Sequence, residues 1–199
     1  MTLKLAIFAS HGGSNLQSII DAIKSGNLNA EIKAVISNNS DSMALQRARN
    51  ENIPAYHISE KQFINEHFYT DAILNILHQQ QIYIIVLAGY MKKLNSKIIK
   101  EYKGKILNIH PALLPKFGGK GMYGLNVHKA VIADGETKSG CTVHIIDEEY
   151  DKGRILSQFE VPVLTNDTPE LLATRVLEQE HKLYPSTLQR IAIGEITLA

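Results

Sequence analysis

Lys105-Ile106-Leu107-Asn108-Ile109-His110-Pro111-Ala112-Leu113-Leu114-Pro115 is the stretch whose reading decides the fold. Ile106, Leu107 and Ile109 make a short apolar run of strand type that closes on a proline. Proline lacks the N–H that a sheet ladder needs and holds the residue before it extended, so Pro111 ends the strand just after His110. His110 then stands at a carboxyl end, the edge at which open α/β sheets bind ligands. Asn108, two residues earlier, shares its face, so an amide and an imidazole point toward one crevice. Taken alone, the pair suits equally well a bland reading, in which His110 caps a loop and Asn108 closes a turn. The flanking sequence has to decide.

Upstream, strand and helix alternate. Residues 3–9 are an apolar run, followed by Ser10-His11-Gly12-Gly13-Ser14-Asn15 and then by Leu16, Ile19, Ile20 and Ile23 at helical spacing. A strand, glycine turn and helix in that order serve as a plain tight turn or as a phosphate cradle, with backbone N–H groups and the positive helix end facing the anion. The two glycines with Ser and Asn donors favour the cradle. Neither the GxGxxG nor the GxxxxGK[ST] spacing is present, so no dinucleotide or P-loop site is implied. Residues 32–37 predict a strand, and 42–51 a helix turning Met43, Ala44, Leu45 and Ala48 inward. Residues 55–58 predict a short strand, and 65–80 a helix with Phe68, Ile73, Ile76 and Leu77 on one side. The unbroken Ile, Val and Leu run of 82–88 reads as a central parallel strand covered on both faces. Gly89-Tyr90-Met91-Lys92-Lys93-Leu94 is its carboxyl-end loop, and Asn95 or Ser96 caps the next helix.

Downstream, residues 116–125 hold four glycines in ten and no periodicity, which predicts a mobile loop, either a lid over a site or a surface linker. A helix follows over 126–133. The strand at 140–146 alternates Val143 and Ile145 against Thr142 and His144, as though one face met solvent. An acidic turn at 147–153 leads into an antiparallel strand over 155–163. Thr168 caps and Pro169 starts a last helix that sets Leu171, Leu172, Val176 and Leu177 against the sheet until Pro185 interrupts it. The whole predicts one α/β domain over 1–199: a doubly wound, mostly parallel twisted sheet with antiparallel strands near the C-terminal half.

At 199 residues the chain can bury about 70% of its unfolded surface. The single Cys141 excludes an intrachain disulfide and reads as a core thiol in a reducing compartment. No apolar run has membrane-spanning length and the N-terminal run is too short for a signal peptide, so a cytoplasmic protein with no membrane partner is expected. The net charge of +1 argues against nucleic acid. Between residues 91 and 130, however, nine lysines (Lys92, Lys93, Lys97, Lys100, Lys103, Lys105, Lys116, Lys120 and Lys129) face Glu101 alone. They form either a solvated surface or a funnel for small polyanions around Asn108 and His110.

Three histidines, His110, His128 and His144, have no compact metal-ligand spacing, and no cysteine pair accompanies them, so no metal is expected. Acid–base work is the better use of His110, and a carboxylate of the acidic turn would raise its pKa from about 6.5. With no GxSxG elbow or activated cysteine, direct transfer without a covalent enzyme intermediate is the simplest mechanism.

Gly13-Ser14-Asn15-Leu16, Leu87-Ala88-Gly89-Tyr90-Met91, the Asn108-to-Pro115 block, Thr142-Val143-His144 leading to Asp151-Lys152-Gly153, and Gln179-Glu180-His181 carry a resemblance. In order and spacing they resemble the phosphoribosylglycinamide formyltransferases of purine synthesis, within the wider folate-dependent formyl-transfer superfamily. The resemblance implies a Rossmann-like formyltransferase fold and transfer of a formyl group from 10-formyltetrahydrofolate, as co-substrate, to the amine of glycinamide ribonucleotide. It implies Asn108, His110 and Asp151 as the catalytic trio, and Gly13, Ser14 and Asn15 as the phosphate loop. It assigns Glu180 to the ribose hydroxyls, and Met91, Lys92, Lys93, Leu94, Asn108, Ile146 and Asp147 to the folate. Partners would be these small molecules and, at most, a second copy in a homodimer. The chain departs from the pattern at Lys93, where an apolar residue is usual, at Glu66 in place of an arginine, and in a longer loop over 118–124. Its length leaves no room for the extra domains of methionyl-tRNA formyltransferases or formyltetrahydrofolate deformylases. A formyltetrahydrofolate hydrolase or a non-catalytic nucleotide-binding module are the alternatives.

Overall fold

The computed structural model describes residues 2–147, 149 and 151–198; Glu148 and Tyr150 of the acidic turn lie outside the described residues. The strands are β1 (Leu3–Phe8), β2 (Ala30–Ser37), β3 (Ala55–His57), β4 (Ile84–Leu87), β5 (Ile106–His110), β6 (Lys138–Ile145) and β7 (Ile155–Pro162). They form one sheet in the order β3-β2-β1-β4-β5-β6-β7. The first five are parallel, and β6 and β7 add on antiparallel. The helices are α1 (Ser14–Lys24), α2 (Met43–Asn50), α3 (Glu66–Gln79), α4 (Ser96–Glu101), α5 (Leu125–Ala133) and α6 (Pro169–Ala192).

Period-two alternation splits the apolar side chains between two cores. Leu3, Leu5 and Ile7 of β1 join Ile84 and Val86 of β4 beneath α1, α2 and α6. Ala6 and Phe8 join Ile85 and Leu87 beneath α3 and α4. Strand order reverses between β1 and β4, so the loops leaving their carboxyl ends diverge and open a crevice there, as parallel α/β sheets do.

Four expectations need correction. Met43 and Phe68 are exposed, because each sits in the first turn of its helix, outside the stripe that meets the sheet. Pro185 does not interrupt the last helix: α6 runs through it, with the buried Tyr184 and Leu188 packed on either side. Their burial offsets the roughly 3 kcal/mol that an interior proline costs. The Tyr184 hydroxyl also reaches the Leu87 and Leu107 carbonyls, at 3.1 and 2.9 Å, tying α6 to β4 and β5. Leu171 is exposed and Leu177, 37% exposed, lines the cavity beside α6, whereas Leu172 and Val176 face the core. Finally, β6 is buried on both faces, not one. The segment after Pro111 crosses it, with Thr142 Oγ1 donating to the Ala112 carbonyl at 2.6 Å and accepting from the Leu114 N–H at 3.1 Å.

Candidate active site

A cavity of about 690 Å³ opens at the carboxyl edge of β1, β4 and β5. Gly13, Ser14 and Asn15 enter it from the start of α1, and Met91, Lys92, Lys93 and Leu94 from the loop after β4. Asn108 and His110 come from the end of β5, Ile146, Asp147 and Asp151 from the turn after β6, and Glu180 from α6. Residues distant in sequence thus share one cavity: the parallel strands β1, β4 and β5 deliver their carboxyl ends to one edge, and the turn after the antiparallel β6 and the helix α6 wall it in.

The polar centre is built on β5 and its antiparallel neighbour. Asn108 lies directly opposite His144 of β6. The two side chains meet at 3.2 Å between Asn108 Nδ2 and His144 Nε2, while His144 Nδ1 lies 3.1 Å from the Ile145 carbonyl. A carbonyl can only accept, so Nδ1 carries the proton and Nε2 accepts from the Asn108 amide. Burial, which outweighs the pull of Asp151, pushes the His144 pKa down and keeps it in this neutral form. One Asn108 amide hydrogen is thereby committed and the other is left for the cavity. Sequence reading assigned His144 no role in the site. Its same-parity spacing from Thr142 was visible, but its pairing with Asn108 depends on the β5–β6 register.

His110 follows the same logic with the ring reversed. Its Nε2 lies 2.8 Å from the Phe117 carbonyl and donates to it, leaving Nδ1 basic. Nδ1 is 3.8 Å from Asp151 Oδ2, and Asp151 Oδ1 is 3.6 Å from His144 Nε2. Asp151 Oδ2 also accepts from the Gly119 N–H at 2.8 Å. The carboxylate, held at a left-handed φ of 56°, therefore stands between two imidazoles and the glycine loop. Loop and carboxylate meet so closely that a Cβ at Gly118 would lie 2.6 Å from Leu114 Cδ2 and 3.0 Å from Asp151 Cβ. The expected rise in the His110 pKa is not found. Burial lowers it, and Asp151 and the Phe117 carbonyl offset only part of the fall, since Asp151 sits beyond hydrogen-bond range. Nearby His128 is buried in the cavity wall and depressed further, to about 4, by burial and then by His110.

At the other end, α1 begins with Gly13 at φ 66° as its N-cap, and no side chain caps it. The first N–H groups and the positive helix end therefore face the cavity unscreened. α2 braces this turn from behind. Ala44 N–H donates to the His11 carbonyl at 3.1 Å and Arg47 Nε to the Gly12 carbonyl at 2.9 Å. A Cβ on Gly13 would lie 2.9 Å from Ala44 Cα and Cβ. Arg47 carried no signal in sequence, because its partners, the Gly12 carbonyl and the Gln17 side-chain oxygen at 2.9 Å, lie 35 and 30 residues away. Glu180 Oε2 accepts from Asn15 Nδ2 at 2.7 Å, and burial pushes its pKa up to about 7.

The lysine funnel is narrower than the composition implies. Lys92, Lys93 and Lys120 line the cavity. Lys97 instead pairs with Asp71, Lys116 with Asp134 and Glu136, and Lys105 lies over the Tyr83 ring. Glu66 receives the Asn95 side-chain amide at 2.6 Å. Among the described residues no group of three His, Cys, Asp or Glu side chains could hold a metal ion, and no helix is long and apolar enough to cross a membrane.

A glycine turn into an uncapped helix start and an Asn–His–Asp cluster thus stand at one sheet edge, and the family model described as formyl transferase matches residues 3–188. The chain belongs to the formyl transferase family. Its relatives within that family include phosphoribosylglycinamide formyltransferases. It is 42% identical over 195 residues to that of Haemophilus influenzae, covering 98% of this chain and 90% of the relative. It is 44% identical over 188 residues to the chloroplastic enzyme of Vigna unguiculata, covering 94% of this chain but only 60% of that relative's length. The crystal structure of the Brucella melitensis phosphoribosylglycinamide formyltransferase matches over 100% of both chains, at 42% identity and a TM-score of 0.89.

Proposed function

We propose that this chain transfers the formyl group of 10-formyltetrahydrofolate directly to the amine of glycinamide ribonucleotide. The observation that carries this reading is the meeting of Asn108, His110 and Asp151 in one cavity with an uncapped helix start. In the proposed step the acceptor amine attacks the formyl carbon. Asn108 donates its second amide hydrogen to the oxygen as it gains charge. His110 Nδ1 takes the amine proton and returns it to N10 of the folate as the carbon–N10 bond breaks, so the proton count closes without a covalent enzyme intermediate. Asp151 stabilises the imidazolium between these two events.

Gly13, Ser14 and Asn15 hold the ribonucleotide phosphate through backbone N–H groups, and Glu180 accepts from the ribose hydroxyls. The segment Met91, Lys92, Lys93 and Leu94 binds the pterin through its backbone, with Ile146 and Asp147 closing that end. Support comes from the relatives' names and from the chemistry of the donors. Mixing the protein with 10-formyltetrahydrofolate, with and without glycinamide ribonucleotide, tests it. Loss of the formylfolate absorbance only when acceptor is present is the expected result. Formate release without acceptor would favour a hydrolase instead, and ligand binding with no turnover a non-catalytic nucleotide module.

A further inference from the structure

Behind the cavity wall, Ser10 is fully buried two residues beyond β1 and two before Gly12. Each of its polar groups is engaged. Its N–H donates to the Gly89 carbonyl at 3.1 Å, and its carbonyl accepts from Asn39 Nδ2 at 2.7 Å. Its hydroxyl donates to Asn38 Oδ1 at 2.6 Å, which turns the oxygen lone pairs toward the Met91 N–H, 2.8 Å away. Asn38 Nδ2 in turn donates to Asn39 Oδ1 at 3.1 Å, so the two amides lock each other and the hydroxyl.

We infer that Ser10 is a positioning residue that sets the loop after β4, and with it the donor-binding backbone of residues 91–94, relative to the phosphate turn. This rests on the proposed function for what binds there, but the hydrogen-bonded ring stands without it. Beyond the paired strand ends two backbone bonds still join the loops, Ala88 N–H to the Phe8 carbonyl at 2.8 Å and Ser10 N–H to the Gly89 carbonyl at 3.1 Å, and both stop short of Met91. The Ser10 hydroxyl carries the connection two residues further, to the Met91 N–H at 2.8 Å, and this is the bond that only the serine side chain makes. A loop bound only at its strand end samples many backbone orientations, and a ligand held by backbone groups then bears the cost of selecting one. Because Ser10 touches neither cavity nor substrate, it acts through Met91.

The test is a split between the two substrates. Ser10→Ala should raise the KM for 10-formyltetrahydrofolate by about tenfold, the size of one lost hydrogen bond to a part-buried N–H. The KM for glycinamide ribonucleotide and kcat should each move less than about threefold. Asn38→Ala should shift donor KM in the same direction, Asn38→Asp, which keeps the accepting oxygen, should shift it less, and the double Ser10→Ala/Asn38→Ala variant should be no worse than Ser10→Ala alone. Equilibrium titration with non-reacting 5-formyltetrahydrofolate should show the same weakening. Equal rises in both KM values, or unchanged folate affinity in Ser10→Ala, would overturn the positioning role while leaving the proposed function standing. A wild-type protein that binds no folate overturns both.

Discussion

At the scale of the residue, the site is organised by burial more than by close ion pairs. His110 and Asp151 are too far apart to share a hydrogen bond, and desolvation keeps His110 neutral. In the proposed step a neutral imidazole accepts the amine proton, so kcat should fall on acidification with an inflection below 6.5, the ordinary histidine value. A kcat profile with its inflection above 7 would contradict this. Replacing Asn108 or His110 by alanine should lower kcat by roughly 10³-fold or more while the circular dichroism spectrum is kept. His144 acts through Asn108, so His144→Ala should cost about 10- to 100-fold in kcat with little change in either KM. A His144→Ala enzyme with unchanged kcat would mean that the Asn108 amide is held by other means.

At the scale of the element, the glycine turn before α1 depends on α2 as much as on its own glycines. Gly13 sits in left-handed backbone with Ala44 against it, so Gly13→Ala combines strain with a clash. A loss of about 1–3 kcal/mol of stability is expected by urea denaturation, with a rise in acceptor KM. Arg47→Met removes the bond to the Gly12 carbonyl and should raise acceptor KM about tenfold with donor KM unmoved. α6 gives the opposite lesson. It carries a buried proline without ending, since its apolar stripe and the Tyr184 hydroxyl anchor both halves to the sheet.

At the scale of the whole molecule, the fold tolerates buried titratable groups that work against its stability. Burial lifts Glu180 from 4.5 to about 7, so between those values the folded state keeps a proton that the unfolded chain has lost. Stability therefore falls as pH rises through this window, and Glu180→Gln should be more stable than wild type by ~1–3 kcal/mol at pH 8 but not at pH 4. Chemical denaturation at the two pH values measures this, and no difference between them would place Glu180 in a more polar setting. Much of this was legible in the sequence. Within a strand–helix alternation, an uninterrupted Ile, Val and Leu run reads as a buried parallel strand, Gly12-Gly13 before a helical stripe as a turn into a helix, and Pro111 as a strand end. Those are local facts of backbone chemistry and side-chain period, and they determined the elements, their order and the placing of Asn108 and His110 at a strand end. Only the tertiary structure decided which groups face those two. The His144 contact follows from antiparallel register, the Arg47 and Ser10 bonds from neighbouring loops, and the depressed His110 from how completely the chain encloses it. Such contacts join residues distant in sequence, often through backbone atoms that every residue possesses, and hydrogen bonds of that kind leave no periodic or compositional trace.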